Sequence, residues 1–72
     1  MTRLGLFLER KSIKKADVSR KTGISQSRLS VLSSDPKTKL TAVELYLIAL
    51  AIDINPYDIL IDICKDVKLK NN

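Results

Sequence analysis

The sequence predicts an all-α fold, a compact five-helix bundle, from three observations. Residues 15–34, KADVSRKTGISQSRLSVLSS, have the pattern of two short helices joined by a tight turn that contains glycine. Residues 41–44 and 55–56 carry the start signals of two further helices. The chain has 72 residues, 44% of them hydrophobic and 29% charged, which is the composition of a single soluble globular domain. A chain this short buries only about 60% of its unfolded surface, so we expect marginal stability unless it dimerises.

The two helices within residues 15–34 each carry one apolar stripe. Val18 and Thr22 are four residues apart on the first helix, and Leu29 and Leu32 are three apart on the second. Residues at these spacings lie on one face of a helix, so the two stripes can pack against each other. The segment therefore predicts a helix-turn-helix unit.

The residues between these helices suit a sharp corner. Gly23 stands where the first helix must end in a left-handed conformation, which costs a residue with a side chain about 1 kcal/mol or more. Ser19 is small enough to let the helices approach closely, and Ile24 fills the corner. Ser25 follows as an N-cap, whose hydroxyl can accept a hydrogen bond from the backbone of the next turn.

The other three helices are predicted from their apolar spacing and their caps. Thr41 and Glu44 form a capping box, and Asn55 followed by Pro56 is a second helix start. Gly5 lies within the helix predicted near the N-terminus and lowers its helix propensity. We expect helices at about residues 3–11, 15–22, 26–33, 42–52 and 56–65. Residues 1–66 then form the domain, and residues 67–72 form a basic, frayed tail.

Positive charge is concentrated on the part of the chain that holds the helix-turn-helix. Residues 10–39 contain nine lysines and arginines against two aspartates, a net charge of +7. Residues 40–64 contain four acidic residues and no lysine or arginine, a net charge of −4. A charge run is usually only a solvated face, but this segregation favours a polyanionic partner.

Several function classes lack the residues that they need. The chain has one cysteine, Cys64, and no histidine, so neither an internal disulfide nor a cysteine-built zinc site can form. Without histidine, a glycine-rich phosphate loop or clustered carboxylates, we expect no enzyme, no cofactor and no small-molecule ligand. The longest apolar-leaning run, residues 42–52, is too short to span a bilayer, and the N-terminus lacks a signal peptide. We therefore expect a cytoplasmic protein with no membrane partner.

The spacing of the helix-turn-helix residues resembles the Cro and Xre family of helix-turn-helix DNA-binding proteins, which includes phage repressors. The matching pattern is a small residue, a glycine four positions later, an apolar residue next, and apolar residues five and eight positions further on, here Ser19, Gly23, Ile24, Leu29 and Leu32. The resemblance covers about residues 3–62. It implies a lambda-repressor-like fold that binds double-stranded DNA, with the second helix of the motif as recognition helix.

Both helical periodicity and the resemblance point to the residues that would contact bases. Successive residues of a helix lie 100° apart, and this places Ser27, Ser30, Val31 and Ser34 opposite the inward leucines. Gln26 stands in the first turn, the end that reaches base edges in docked motifs. Its amide can bond adenine in bidentate fashion, and Val31 can contact a thymine methyl group. We expect base contacts from Gln26, Ser27, Ser30 and Val31.

Phosphate contacts are expected on both sides of the recognition helix. The resemblance places them at the start of the first motif helix and just after the recognition helix, on Lys14, Lys15, Ser34, Lys37 and Lys39, and we add Arg28 because it lies on the flank of its helix. Arg28 lies on the flank of its helix, so a guanine contact is a lesser alternative and a structural pair with Asp17 is another. The family often has Ser or Thr followed by Gln at the positions of Lys14 and Lys15. Lys14 cannot cap a helix as Ser would.

The chain departs from the family at one further pair of positions. An arginine in helix 1 and a glutamate near the end of the recognition helix often pair in the family, and those places fall on Leu8 and Ser33. Because both charges are absent together, we expect apolar packing to replace the ion pair at little cost.

The predicted fourth helix is apolar on nearly every side, which a surface helix does not need. One interpretation is that helix 5 covers the remaining side. The other adds a partner, because Ile54, Tyr57, Ile61, Val67 and Leu69 also exceed what one small core requires. We prefer a homodimer through helix 5 and its preceding loop, which would place two recognition helices about 34 Å apart on a palindromic operator.

Two functions follow from these observations. The first is a sequence-specific transcriptional regulator, most simply a repressor, that reads the major groove with residues 26–33. The second is a protein-interaction or antitoxin-like module on the same fold, with weak DNA binding. Sequence-specific binding to DNA would separate the two.

Overall fold

The computed structural model describes residues 1–70 and contains five α-helices within them. They are α1 (Arg3–Arg10), α2 (Lys15–Thr22), α3 (Gln26–Ser34), α4 (Ala42–Ala51) and α5 (Pro56–Ile63). The predicted all-α fold is confirmed, with both ends of α2 as expected and the other helices ending within two residues of expectation. The predicted tail, residues 67–72, is exposed and non-helical over residues 67–70, and residues 71–72 lie outside the described part.

Four of the five helices begin with a side-chain cap. The hydroxyl of Ser25 accepts from the amide of Arg28 at 3.0 Å, and Asn55 accepts from the amide of Tyr57 at 2.9 Å, as the sequence predicts. The capping box of α4 also forms, and α1 is capped by Thr2, which the sequence analysis missed. Lys14 precedes α2 and makes no side-chain cap, so the first amides of α2 stay open to other acceptors.

Left-handed residues end three of the helices. Gly23 ends α2 with φ +82°, as predicted, and its amide donates to Ser19 O. Ser12 and Asp53 also have positive φ, at +55° and +58°, although neither is glycine. Each is the left-handed residue of a Schellman motif. In α1, the amide of Ser12 donates to Glu9 O and the amide of Ile13 donates to Leu8 O.

A single apolar core lies between the helices. Its buried members are Leu4, Phe7, Leu8, Val18, Leu29, Leu32, Ile48, Ala49 and Ile59. Helix α1 packs on α3 and α5, α2 packs on α3 and α4, and α4 packs on α5. Leu8 and Ser33, the positions of the absent family ion pair, are both buried, and the Ser33 hydroxyl donates to Leu29 O at 2.8 Å. The structure thus leaves no buried charge at these positions.

Gly5 permits the close approach of α1 to α3. A Cβ atom at this position would overlap the carbonyl oxygen of Ser33, which is backbone and cannot rotate away. The amide of Thr2 donates to the same carbonyl at 2.9 Å. Gly5 costs α1 some helix propensity, as the sequence suggests, but the packing of α1 on α3 requires it.

Helix α5 does not cover the outer side of α4. Val43, Tyr46 and Leu50 are 67%, 54% and 55% exposed, and their spacing places them in one stripe. The interpretation that α5 alone buries the rest of α4 is therefore wrong for this stripe. Ile54, which the sequence analysis counted as surplus to the core, packs against it instead. Among residues 1–70, no helix is long and apolar enough to cross a membrane.

Candidate nucleic-acid interface

One face of α3 is open to solvent and carries short polar side chains. Leu29, Leu32 and Ser33 face the core, which leaves the other side of the helix free. The exposed residues on that side are Ser27, Ser30, Val31 and Ser34, and Val31 is 41% exposed. These are the residues that helical periodicity places outward. Gln26 is the first residue of α3 and is exposed in its first turn, at the edge of this face.

The serine hydroxyls on this face differ in what they can still donate. Ser34 Oγ donates to the carbonyl of Ser30 at 2.7 Å, so its proton is already used within the helix. A phosphate accepts and does not donate, so a contact from Ser34 requires its hydroxyl to rotate away from Ser30 O. Ser27 and Ser30 make no side-chain hydrogen bond within residues 1–70, and their hydroxyls can donate or accept.

Arg28 is held by Glu44 rather than by Asp17. Its Nε donates to Glu44 Oε2 at 2.8 Å and its Nη2 to Glu44 Oε1 at 3.0 Å, a bidentate pair between α3 and α4. Nη2 also donates to the carbonyl of Lys39 at 3.1 Å. Asp17, the partner considered from the sequence, pairs with Arg20 instead. Only Nη1 of Arg28 is left without a partner among the described residues.

The pair shifts the ionisation of both groups. The hydrogen bond from Arg28 is the largest cause that lowers the pKa of Glu44, to about 2 from 4.5. Partial burial opposes this shift, and hydrogen bonds from Thr41 add to it. In return, the hydrogen bond to Glu44 raises the pKa of Arg28. Both groups are therefore charged at neutral pH.

The loop between α3 and α4, residues 35–41, is held at both ends. At its start, Asp35 Oδ1 accepts from the amide of Lys37 at 2.9 Å and Asp35 Oδ2 from the hydroxyl of Thr38 at 3.2 Å. At its end, Arg28 holds the Lys39 carbonyl and Glu44 Oε1 accepts from the amide of Thr41 at 3.0 Å. The side chains of Lys37 and Lys39 remain exposed on this fixed loop.

Arginines and lysines have different roles in this structure. All four arginines are in ion pairs, with Asp66, Asp62, Asp17 and Glu44 as the partners of Arg3, Arg10, Arg20 and Arg28. No lysine within residues 1–70 is in an ion pair. The positive side chains without an acidic partner, among residues 1–70, are therefore lysines.

Exposed lysines lie near both halves of α3. The Lys39 carbonyl contacts Arg28, in the first turn of α3. Lys15 lines one surface cavity together with Ser33, near the other end of α3. Lys14 and Lys15 also stand at the uncapped start of α2, where the helix dipole and free amides favour an anion. A phosphate backbone that runs along α3 would meet positive charge on both sides.

A comparison with protein families decides what this fold is. Residues 3–65 match the model of the Cro/C1-type HTH DNA-binding domain. The chain belongs to this family. The comparisons with curated proteins and with solved structures gave no match. In this chain, α2 and α3 form the helix-turn-helix.

Sequence reasoning missed the partner of Arg28. Glu44 was assigned only to the capping box of α4, although its carboxylate also binds Arg28. A signal was present: a capping-box glutamate lies in the first turn of its helix, directly after the loop that follows α3. The flank position of Arg28 leaves it within reach of that turn, but no spacing rule connects residues that are 16 apart in different helices.

Proposed function

We propose that this DNA-binding domain acts as a sequence-specific transcriptional regulator, most simply a repressor that occupies a promoter. The observation that carries the proposal is the open polar face of α3 with unpaired lysines beside both of its halves. The family is one of DNA-binding domains, and we propose no catalytic role and no cofactor. The cytoplasmic location expected from the sequence stays a prediction.

The exposed residues of α3 supply the proposed base contacts. Gln26 bonds an adenine edge, Ser27 and Ser30 bond either base type, and Val31 contacts a thymine methyl group. Short serines give little geometric discrimination compared with bidentate arginine, so we expect modest specificity that favours A·T pairs.

The proposed phosphate contacts come from lysines and from Ser34. Lys14 and Lys15 act from the start of α2, and Lys37 and Lys39 act from the loop after α3. Each neutralised phosphate releases counterions and makes binding more sensitive to salt. Arg28 can add a phosphate contact only through Nη1, because Nε and Nη2 are held within the protein.

We further propose that two copies bind a palindromic operator as a homodimer. Tyr57, Leu60 and Ile61 are large apolar side chains on α5 that remain exposed in the single chain. Contact between two such α5 surfaces would bury them and would relate the two α3 helices by a twofold axis. Successive major grooves on one side of the duplex are about 34 Å apart, which fixes the half-site spacing.

One observation favours a second candidate function, a protein-interaction or antitoxin-like module with weak DNA binding. The stripe formed by Val43, Tyr46 and Leu50 lies on α4, and an exposed apolar stripe of this kind often marks a protein interface. This function and the first predict different behaviour with DNA, since only the first requires preference among sequences.

Selection of bound duplexes from a randomised DNA pool, at near-physiological salt, tests the proposal. Enrichment of a twofold-symmetric motif would support a dimeric regulator and would identify its operator. Enrichment of a single half-site would support sequence recognition by a monomer. If no sequence is enriched, the interaction module becomes the better explanation.

A further inference from the structure

We propose that Glu44 is a positioning residue for DNA backbone contacts: its carboxylate holds Arg28, and Arg28 holds the Lys39 carbonyl, so that Lys37 and Lys39 are presented to phosphates. The inference rests on the proposed function, because it concerns how α3 and its loop contact DNA. Glu44 itself touches no phosphate in this proposal. It acts through Arg28 and the loop of residues 35–41.

The hydrogen bonds of Glu44 connect three parts of the interface. Its two oxygens accept from Arg28 on α3 at 2.8 and 3.0 Å, and Oε1 also accepts from the Thr41 amide at 3.0 Å. The second proton of Arg28 Nη2 reaches the Lys39 carbonyl at 3.1 Å. One carboxylate thus fixes the end of the loop relative to the recognition helix.

Close backbone packing does not provide this connection, although the side chain of Leu40, next to Lys39, packs against the core. Within the described helices, α3 packs on α1 and α2, and no comparable backbone contact joins α3 to α4. The start of the loop is held to itself by Asp35, whose bonds stay within residues 35–38. The bonds that Arg28 makes therefore add to the packing of Leu40 and fix the Lys39 carbonyl relative to α3.

Simple electrostatics and the positioning role predict opposite effects of removing this charge. A carboxylate near a DNA interface repels phosphates, so its neutralisation alone should strengthen binding. If Glu44 positions the loop, its neutralisation should weaken binding, because Arg28 is released and Lys37 and Lys39 lose their fixed geometry. Whether the affinity for DNA rises or falls therefore distinguishes repulsion from positioning.

The test compares Glu44→Gln with Glu9→Gln in binding to a selected duplex across a range of salt concentrations. Glutamine also serves in a capping box, so Glu44→Gln leaves the start of α4 in place. Glu9 is exposed, has no ion pair within residues 1–70 and lines the same cavity as Lys15, which makes it the matched control. We expect Glu44→Gln to weaken binding about 5- to 10-fold and to reduce the salt slope by about 1 to 2, while Glu9→Gln binds as the wild type or slightly tighter.

A second variant keeps the total charge unchanged. Arg28→Lys retains a positive charge but cannot form a bidentate pair and reach the Lys39 carbonyl at once. We expect it to weaken binding and to lower the salt slope as Glu44→Gln does. If Arg28 instead serves DNA directly as a point charge, lysine should replace it with little loss, and Glu44→Gln should tighten binding. Either of those results would overturn the inference.

Tryptic cleavage after Lys37 and Lys39 provides a readout without DNA. We expect cleavage in this loop to be faster in Glu44→Gln and in Arg28→Lys than in Glu9→Gln, at a temperature where circular dichroism shows all the variants to be folded. Unchanged cleavage would contradict the inference. This assay can still be done at low temperature if Glu44→Gln is too unstable for the binding measurements. Failure of the wild-type protein to bind any duplex would instead overturn the proposed function, and the inference with it.

Discussion

The guanidinium of Arg28 and the carboxylate of Glu44 form a two-bond pair that joins α3 to α4, at 2.8 and 3.0 Å. The two residues are 16 apart in the sequence and belong to helices that share the apolar core without close backbone contact. The same guanidinium reaches the Lys39 carbonyl. This pair is thus both an ion pair and a support for the loop that follows α3.

The first prediction concerns the stability of the protein in acid. Because Arg28 lowers the pKa of folded Glu44 to about 2 from 4.5, the pair stabilises the fold fully above about pH 4.5 and loses its effect as the pH falls towards 2. The pair is partly open to solvent, so screening by water and salt reduces its contribution to stability. Urea unfolding of the wild type and of Glu44→Gln should differ at pH 7 and converge near pH 2. A constant difference across this range would contradict the prediction.

The second prediction is that Gly5→Ala destabilises the protein although alanine favours helix. The added Cβ would overlap the Ser33 carbonyl, and we expect a loss of about 1 to 3 kcal/mol as α1 and α3 move apart. Gly23→Ala is the comparison: nothing lies near its added Cβ, and its loss of about 1 kcal/mol would come from positive φ alone. Gly23→Asn should recover part of that loss, whereas Gly5→Asn should not. Thermal unfolding distinguishes these outcomes.

Glycine should stabilise the protein at the two left-handed positions that lack it. Ser12 and Asp53 have φ of +55° and +58°, so we expect Ser12→Gly and Asp53→Gly each to raise the free energy of unfolding by about 0.5 to 1 kcal/mol. Ser30→Gly, at an exposed position inside α3, should lower it by a similar amount. A loss of stability in Ser12→Gly would show that its side chain contributes more than its backbone strain costs.

The fourth prediction separates base contacts from phosphate contacts. Gln26→Ala should relax the preference at one base position by about 1 to 3 kcal/mol, because a bidentate contact to adenine is lost. Lys15→Ala should weaken binding to all sequences alike and should flatten the salt dependence by about 1. Binding of each variant to the selected operator and to single-base variants of it measures both effects. If both variants lose the same affinity on every sequence, the assignment of Gln26 to a base contact is wrong.

The fifth prediction locates the dimer interface. Ile61 is exposed on α5, and Ile61→Lys should shift the protein to monomer in sedimentation without loss of helix content. Val43→Lys introduces the same charge at the exposed stripe of α4 and should leave the dimer intact. If only Val43→Lys dissociates the protein, the interface lies on α4 rather than on α5. A wild-type protein that is monomeric both alone and on its operator would rule out the proposed homodimer.

Local signals in the sequence predicted much of this fold because they act over a few residues. Ser25, Thr41 and Asn55 cap the helices at which they were placed, and Gly23 has the left-handed conformation that the turn requires. The exposed face of α3 also followed from periodicity, since Leu29 and Leu32 fix which side is buried. The proposed contacts of that face with DNA are still predictions.

The features that were missed depend on tertiary contacts. Gly5 was interpreted as a weak point of α1, because only the approach of Ser33 shows why a side chain cannot fit there. The partner of Arg28 was sought in Asp17, near in sequence, whereas Glu44 comes near only when α4 has folded against α2. The coverage of α4 was overestimated for the same reason, since a helical wheel shows which sides are apolar but not which are covered.

Every arginine is paired with a carboxylate, whereas no lysine within residues 1–70 is. The paired positive side chains are therefore guanidinium groups, and the unpaired ones are amines. Amine-selective reagents such as acetic anhydride neutralise lysines and leave guanidinium groups intact. The ion pairs of the arginines would therefore survive a treatment that neutralises the unpaired lysines. In this small domain, the paired and the unpaired positive side chains can be addressed one set at a time.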